Sequence, residues 1–180
     1  MMDRRQALVD AAFRCIAERG LEGLRLRPVA ADAGIDHSTL HHYFATKQEL
    51  MSAVLEHVTR QFWVTMPAEG SAAEQLRHHF TALGELIRRQ PELFVVLAEL
   101  DLRGQRDPEV GQVIERVEAG WRESLTEVWR RGARQRAWAA PLAQDTAVEL
   151  IISVVKGVRL LPDRAESVLR GLEQTLINGG

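Results

Sequence analysis

The sequence predicts an all-α protein of about nine helices. Three observations carry this. Apolar residues recur at helical spacing along nearly the whole of the 180-residue chain. No run alternates apolar and polar residues as a half-buried strand does. Glycine or proline punctuates the pattern at Gly20, Gly34, Pro67, Pro91, Pro108, Pro141 and Pro162.

Each element has its own signal. The first helix covers residues 3–19, with Leu8, Ala12, Cys15 and Ile16 on one side, and Gly20 stands where a left-handed cap belongs. The second runs from about Leu26 to Ala33; Pro28 is tolerated only in its first turn, and Gly34 stops it. Asp36 is a good N-cap for the third helix, and Ile35 and Leu40 flank it at the hydrophobic-staple spacing. That helix ends near Phe44. Thr46 and Glu49 have the capping-box spacing and open the fourth helix, which carries Leu50, Val54, Val58 and Phe62 inward and stops before Pro67.

The C-terminal half continues in the same way. Ser71 caps a fifth helix with Leu76, Phe80, Leu83 and Ile87 on one face. Pro91 opens a sixth, PELFVVLAEL, which the polar RGQRD breaks. Asp107-Pro108 is a cap followed by proline at the first helical position and starts the seventh, striped by Val110, Ile114, Val117, Trp121, Leu125 and Val128. Pro141 begins an eighth, and Pro162-Asp163 separates it from a ninth.

Composition narrows the function. Net charge is −2 and 46% of residues are hydrophobic, so a core can form and any basic surface must be local. Cys15, the single cysteine, excludes an internal disulfide and reads as a small buried hydrophobe. No run approaches the roughly 20 apolar residues of a membrane span, and no signal peptide is evident, so no membrane partner and a cytoplasmic location are expected. There is no Gly-rich phosphate loop, no cysteine pair and no nucleophile–base arrangement: no enzyme and no cofactor are expected. His37 and His41 have an i, i+4 spacing that can bind a metal, but no acidic or cysteine partner lies nearby, and none is expected.

The short helices on either side of AGID have the lengths and composition of a helix-turn-helix. Gly34 supplies the positive φ that the tight turn needs. With Leu40 and Phe44 inward, His37, Ser38, Thr39, His41 and His42 are left on or near the surface. A helix serving solubility alone would more often carry Glu, Lys and Arg. One entering a major groove needs short donors and acceptors and no acidic face. The alternative is an ordinary capped surface helix.

The stretch LVDAAFRCIAERGLEGLRLRPVAADAGIDHSTLHHYFATKQELMSAVL, residues 8–55, resembles the DNA-binding region of the TetR family of bacterial transcriptional regulators. AERG, VAADAGI, STLHHYF and TKQEL carry the resemblance through their order and spacing. It implies a DNA-binding domain at 1–46 and an effector-binding and dimerisation domain at 47–180. By the same resemblance, Thr39 and Tyr43 match phosphate-binding positions, His37, Ser38 and His42 match positions facing bases or backbone, and Lys47 matches a phosphate-binding lysine. Arg27 matches a position that reaches a base edge. Two residues depart from the family. Arg25 stands where a capping Thr is usual; it cannot cap alike but can bind phosphate. His41 stands where Tyr is frequent.

The resemblance also implies a ligand cavity among helices four to seven. Phe62, Trp63, Phe80, Phe94 and Trp121 are its candidate wall, with His78, His79 and Glu99 as polar contacts. The reading from residues alone is that aromatics at helical spacing are core. AVELIISVVKGV is apolar over more than one face; in the family the last two helices form a four-helix dimer interface. Leu150, Ile151, Val154, Val155, Val158, Val168 and Leu172 are its candidates here, and Gly157 would permit close approach. The basic WRRGARQRAW reads as cations complementing a helix C-terminus, with a second nucleic-acid patch as the alternative. The expectation is therefore a homodimeric regulator of double-stranded DNA, a repressor released from a palindromic operator by a small, mainly apolar effector. Its rivals are a regulator with no effector and a helical protein–protein adaptor.

Overall fold

Asp3 starts the first helix by accepting the Arg5 N–H at 2.9 Å. In the computed structural model residues 3–139 and 141–177 are described, the Trp63 side chain excepted. Nine helices follow one another among them: α1 Arg4–Gly23, α2 Leu26–Asp32, α3 His37–Tyr43, α4 Lys47–Trp63, α5 Ala72–Arg89, α6 Pro91–Gly104, α7 Pro108–Arg134, α8 Gln144–Val158 and α9 Ala165–Leu176. No strand is present among the described residues; Trp138 and Ile177 form an isolated bridge.

Most starts and stops fall where side-chain chemistry puts them. Ser71 and Glu74 close a reciprocal capping box: Ser71 Oγ accepts the Glu74 N–H at 3.3 Å and Glu74 Oε2 accepts the Ser71 N–H at 2.8 Å. Asp107 Oδ1 accepts the Glu109 N–H at 3.2 Å at the head of α7. At α4, Thr46 Oγ1 accepts the Glu49 N–H at 3.1 Å, and Glu49 reaches back one residue further than the usual box, to the Ala45 N–H at 2.8 Å.

Three boundaries differ from those read in the sequence. Gly20 takes φ 65° and ψ 177°, a conformation essentially reserved for glycine but not the left-handed helical cap, and the chain re-enters helical geometry and runs on to Gly23, so the stop is a kink. α6 continues through DLRG to Gly104, because Asp101, Leu102 and Arg103 are acceptable helix formers and no breaker intervenes. α8 starts at Gln144, with Ala143 at the N-cap and no side-chain cap. A single 3-10 turn at Pro162–Arg164 precedes α9.

The chain forms two compact units. One runs up to Arg60 and includes Val95–Arg116; the other holds Gln61–Phe94 and the residues from Val117 on. The first unit is centred on Leu8, Ile16, Leu24, Leu40, Phe44, Leu50 and Val54, all buried. α2 packs on both α1 and α3 in it, and Arg14 bridges α1 to Asp32 of α2 at 2.8 Å. In the second unit α9 packs on α5 and α8, burying Leu76, Leu83, Ile87, Ile151, Val155, Leu169 and Leu176. The packing division does not follow a single cut in the sequence.

The basic end of α7 is built into this second unit. The Trp138 indole stacks on Trp129, with centroids 4.4 Å apart and planes 7° apart, and its N–H donates to the Trp129 carbonyl at 2.8 Å. Gly132 makes room for it, since a Cβ there would lie 2.0 Å from Trp138 Cζ2. Arg130 pairs with Glu127, and Arg131 donates to the Gln75 side chain.

Candidate nucleic-acid interface and effector site

The turn between α2 and α3 is a Schellman motif. The Gly34 N–H donates to the Ala31 carbonyl at 3.1 Å and the Ile35 N–H to the Ala30 carbonyl at 2.9 Å, with Gly34 at φ 66°. Two of the orphan carbonyls at the end of α2 are thereby satisfied. The chain then starts α3 at once: Asp36 Oδ1 accepts the Ser38 N–H at 3.1 Å, and Oδ2 accepts the Ser38 hydroxyl at 3.0 Å. These two bonds hold the Asp36 carboxyl below the usual carboxylate range.

Only Leu40 of α3 is buried, together with Phe44 at its C-cap. His37, Ser38, His41, His42 and Tyr43 are exposed and Thr39 is half-buried. The His37 and His41 rings meet edge-on at 4.8 Å. No group of three or more metal-ligating side chains occurs among the described residues. The helix carries no acidic residue. Arg27 is exposed in the first turn of α2. Arg25 occupies the α2 N-cap without a side-chain capping bond; its guanidinium donates to the Glu22 carbonyl at 2.6 Å.

Lys47 is the first residue of α4 and is half-buried. Its ammonium donates to the Leu21 carbonyl at 3.2 Å, tying α4 to the kink in α1. Burial lowers its pKa, and the positive charge of Arg25 adds to this. Glu99 belongs to the first unit, whereas the aromatic residues of the candidate effector wall belong to the second. Its Oε2 accepts the Leu21 N–H at 3.3 Å, so the backbone just beyond Gly20 is held from both sides.

The second unit brings together much of the candidate effector wall. Phe62 and Phe94 meet edge-on at 5.3 Å, and the Arg159 guanidinium lies 5.9 Å from the Phe62 centroid. His79 is buried and flanked by Phe80 at 6.1 Å and Trp121 at 6.2 Å. His78, next to it, is exposed. The Trp63 side chain lies outside the described residues. Thr65 joins the two groups: its hydroxyl is 2.6 Å from the Phe62 carbonyl and 2.7 Å from His79 Nδ1. Burial pushes the His79 pKa down to about 4, against the opposing effect of the Thr65 backbone. Thr65 and Arg159 have no local signal in the sequence; a threonine after a helix end and an arginine before a proline are ordinary.

Of the candidate dimer residues, Ile151, Val155, Val158 and Leu172 are buried within the chain itself. Leu150 and Val168 are each 37% exposed and Val154 is half-buried. A Cβ at Gly157 or Gly171 would meet nothing within 4 Å.

A Schellman turn joins two short helices, the first packed on a longer N-terminal helix and the second acid-free, and that arrangement defines a helix-turn-helix protein. The family model described as "Bacterial regulatory proteins, tetR family" matches residues 8–54. A stretch of 70 residues is 40% identical to the HTH-type transcriptional regulator BetI of Burkholderia thailandensis, spanning 39% of this chain and 36% of that regulator. Over 163 residues, 88% of this chain and 83% of the other, it is 25% identical to the nicotine-responsive transcriptional repressor HdnoR of Paenarthrobacter nicotinovorans. The fold matches a TetR transcription regulator from Haloarcula marismortui with TM-score 0.86 at 17% identity, covering 97% of this chain and 98% of that one. The TetR-family match thus lies on the N-terminal region, residues 8–54, and the likeness of the rest of the chain to the solved regulators is one of fold.

Proposed function

We propose that the protein is a homodimeric, DNA-binding transcriptional repressor that α3 aims at a palindromic operator and that a small, mainly apolar effector releases. The observation that carries the reading is α3 itself: a capped, acid-free helix with Ser, Thr, Tyr and three His outward and Leu40 anchoring it. Arg27 and the Lys47 ammonium stand at the neighbouring helix starts, where cations and free N–H groups suit phosphates. Two such heads in a dimer read half-sites about 34 Å apart or a multiple of that. Leu150, Val154 and Val168, beside the open flanks of Gly157 and Gly171, supply the dimer face. Ile151, Val155, Val158 and Leu172 support it from within.

The aromatic set of Phe62, Phe80, Phe94 and Trp121 supports an apolar effector, and HdnoR, a relative along most of the chain, is by name nicotine-responsive. An effector acts only through unequal affinity for the operator-competent and released conformers. No helix among the described residues is long and apolar enough to cross a membrane, which fits a cytoplasmic regulator. The test is selection of bound duplexes from a random pool, followed by anisotropy titration against salt. The expected result is an enriched inverted repeat whose binding Thr39→Ala weakens without loss of helicity. A pool that returns no repeat, with binding indifferent to Thr39→Ala, overturns the proposal.

A further inference from the structure

His79 has one nitrogen whose proton is fixed by its surroundings and one with no hydrogen-bond partner among the described residues. The Thr65 hydroxyl oxygen is 2.6 Å from the Phe62 carbonyl oxygen. A carbonyl brings no proton, so two oxygens at that distance hold the Thr65 proton between them. Thr65 Oγ1 therefore presents a lone pair to His79 Nδ1, 2.7 Å away, and Nδ1 must be the donor. An imidazole pushed down to a pKa of about 4 by burial is neutral at physiological pH and has one N–H only. That proton sits on Nδ1, so Nε2 is bare. It is buried and has no partner among the described residues, on a ring whose centroid lies 6.1 Å from that of Phe80 and 6.2 Å from that of Trp121.

Resting on the effector reading above, we propose that His79 Nε2 is the specificity determinant of that site. It selects neutral ligands that present a hydroxyl or amide N–H donor on an apolar body, and it rejects ligands whose polar groups are acceptors only. The relay Phe62 C=O, Thr65 O–H, His79 Nδ1–H works in one direction. Each member accepts from the next, and the last lone pair, on Nε2, is left buried without a donor. A buried acceptor left unpaired carries a desolvation penalty, and a ligand donor removes it. A ligand carboxylate or ether oxygen placed there sets lone pair against lone pair and adds a second unpaired group. Thr65 acts as the positioning residue, because it decides which nitrogen holds the proton.

Benzyl alcohol and benzyl methyl ether are suitable probes, since they share the ring and differ in the donor. The full-length protein, 15N-labelled at histidine, is observed at neutral pH by two-bond nitrogen–proton correlation. His79 is expected as the Nδ1–H tautomer with a bare Nε2 resonance. Benzyl alcohol should move that resonance toward the hydrogen-bonded range and bind about three- to tenfold more tightly than the ether, the span that one neutral hydrogen bond supplies. His79→Leu should make the two probes equal. Thr65→Val, a milder change, should lose the single tautomer and shrink the discrimination. Equal binding of both probes with an unmoved Nε2 overturns the donor selection and leaves the effector site standing. An Nε2–H tautomer in the free protein overturns it before any probe is added. If neither probe shifts any resonance, the effector reading fails, and the selection with it.

Discussion

At His79 a single side chain links packing, protonation and stability. The unfolded imidazole titrates near 6.5 and the folded one near 4. Between these values the unfolded state holds the extra proton, so stability falls as pH drops from about 6.5 toward 4. The full cost is about 3 kcal/mol, from 1.36 kcal/mol per unit. His79→Leu should lack this component: urea unfolding at pH 7 and pH 4.5 should show a clearly smaller loss in the variant than in the wild type. Asp36, Glu74 and Glu149, whose carboxyls are held low by hydrogen bonds, contribute at still lower pH and alike in both proteins. Equal losses would show that burial does not shift His79. The sequence marks the pair His78 and His79 as one inward and one outward, which α5 periodicity alone decides. Thr65 and the orphan Nε2 are not legible there, because the contact spans a helix end and 14 residues.

Helix starts are the most legible elements, since Asp36, Ser71 and Asp107 cap with their own side chains within two or three residues. The helix-turn-helix is legible for the same reason: Gly34, Ile35 and Asp36 complete one helix end and one helix start in three consecutive positions. The interlock around Leu21 is not. Glu99 follows an apolar run and suggests a pocket acid, yet its partner is 78 residues away, and local periodicity carries no such information. Lys47 is legible as the first residue of α4, but its bond to Leu21 adds a structural duty. One of its three N–H donors is used, and two remain for phosphate. Lys47→Gln should therefore weaken binding to all duplexes alike and reduce the log–log salt slope by about 0.9 for each phosphate that the side chain no longer neutralises. An unchanged slope in a folded variant would assign Lys47 to the Leu21 tie alone. The α7 terminus is a separate case. Gly132→Ala places a Cβ inside the Trp138 ring and should cost about 1–3 kcal/mol through forced displacement of that ring, with a changed tryptophan signal in near-ultraviolet circular dichroism. An unchanged signal at wild-type stability would mean the stack is incidental.

For the whole molecule, the proposed mechanism requires two heads held at a set spacing, and α8 and α9 are where two chains would join. α8 is apolar beyond what its own unit covers: Ile151, Ile152 and Val155 are buried while Leu150 remains 37% exposed. On α9, Leu169 and Leu172 turn inward and Val168, also 37% exposed, turns out. Gly157 and Gly171 leave space along the same helices, which lets a partner backbone approach. Leu150→Asp with Val168→Asp puts like charges on that face without touching the core. The double variant should keep its helicity by circular dichroism, because both side chains are already substantially exposed, and the wild type should sediment as a dimer and the variant as a monomer. Its DNA binding should then change in kind as well as in strength. A lone head neutralises half the phosphates, so the salt slope should fall to about half, and binding should no longer depend on the separation of the two half-sites. A double variant that remains dimeric with an undiminished slope would place the interface on another face, and the spacing of the two heads would then be set from there.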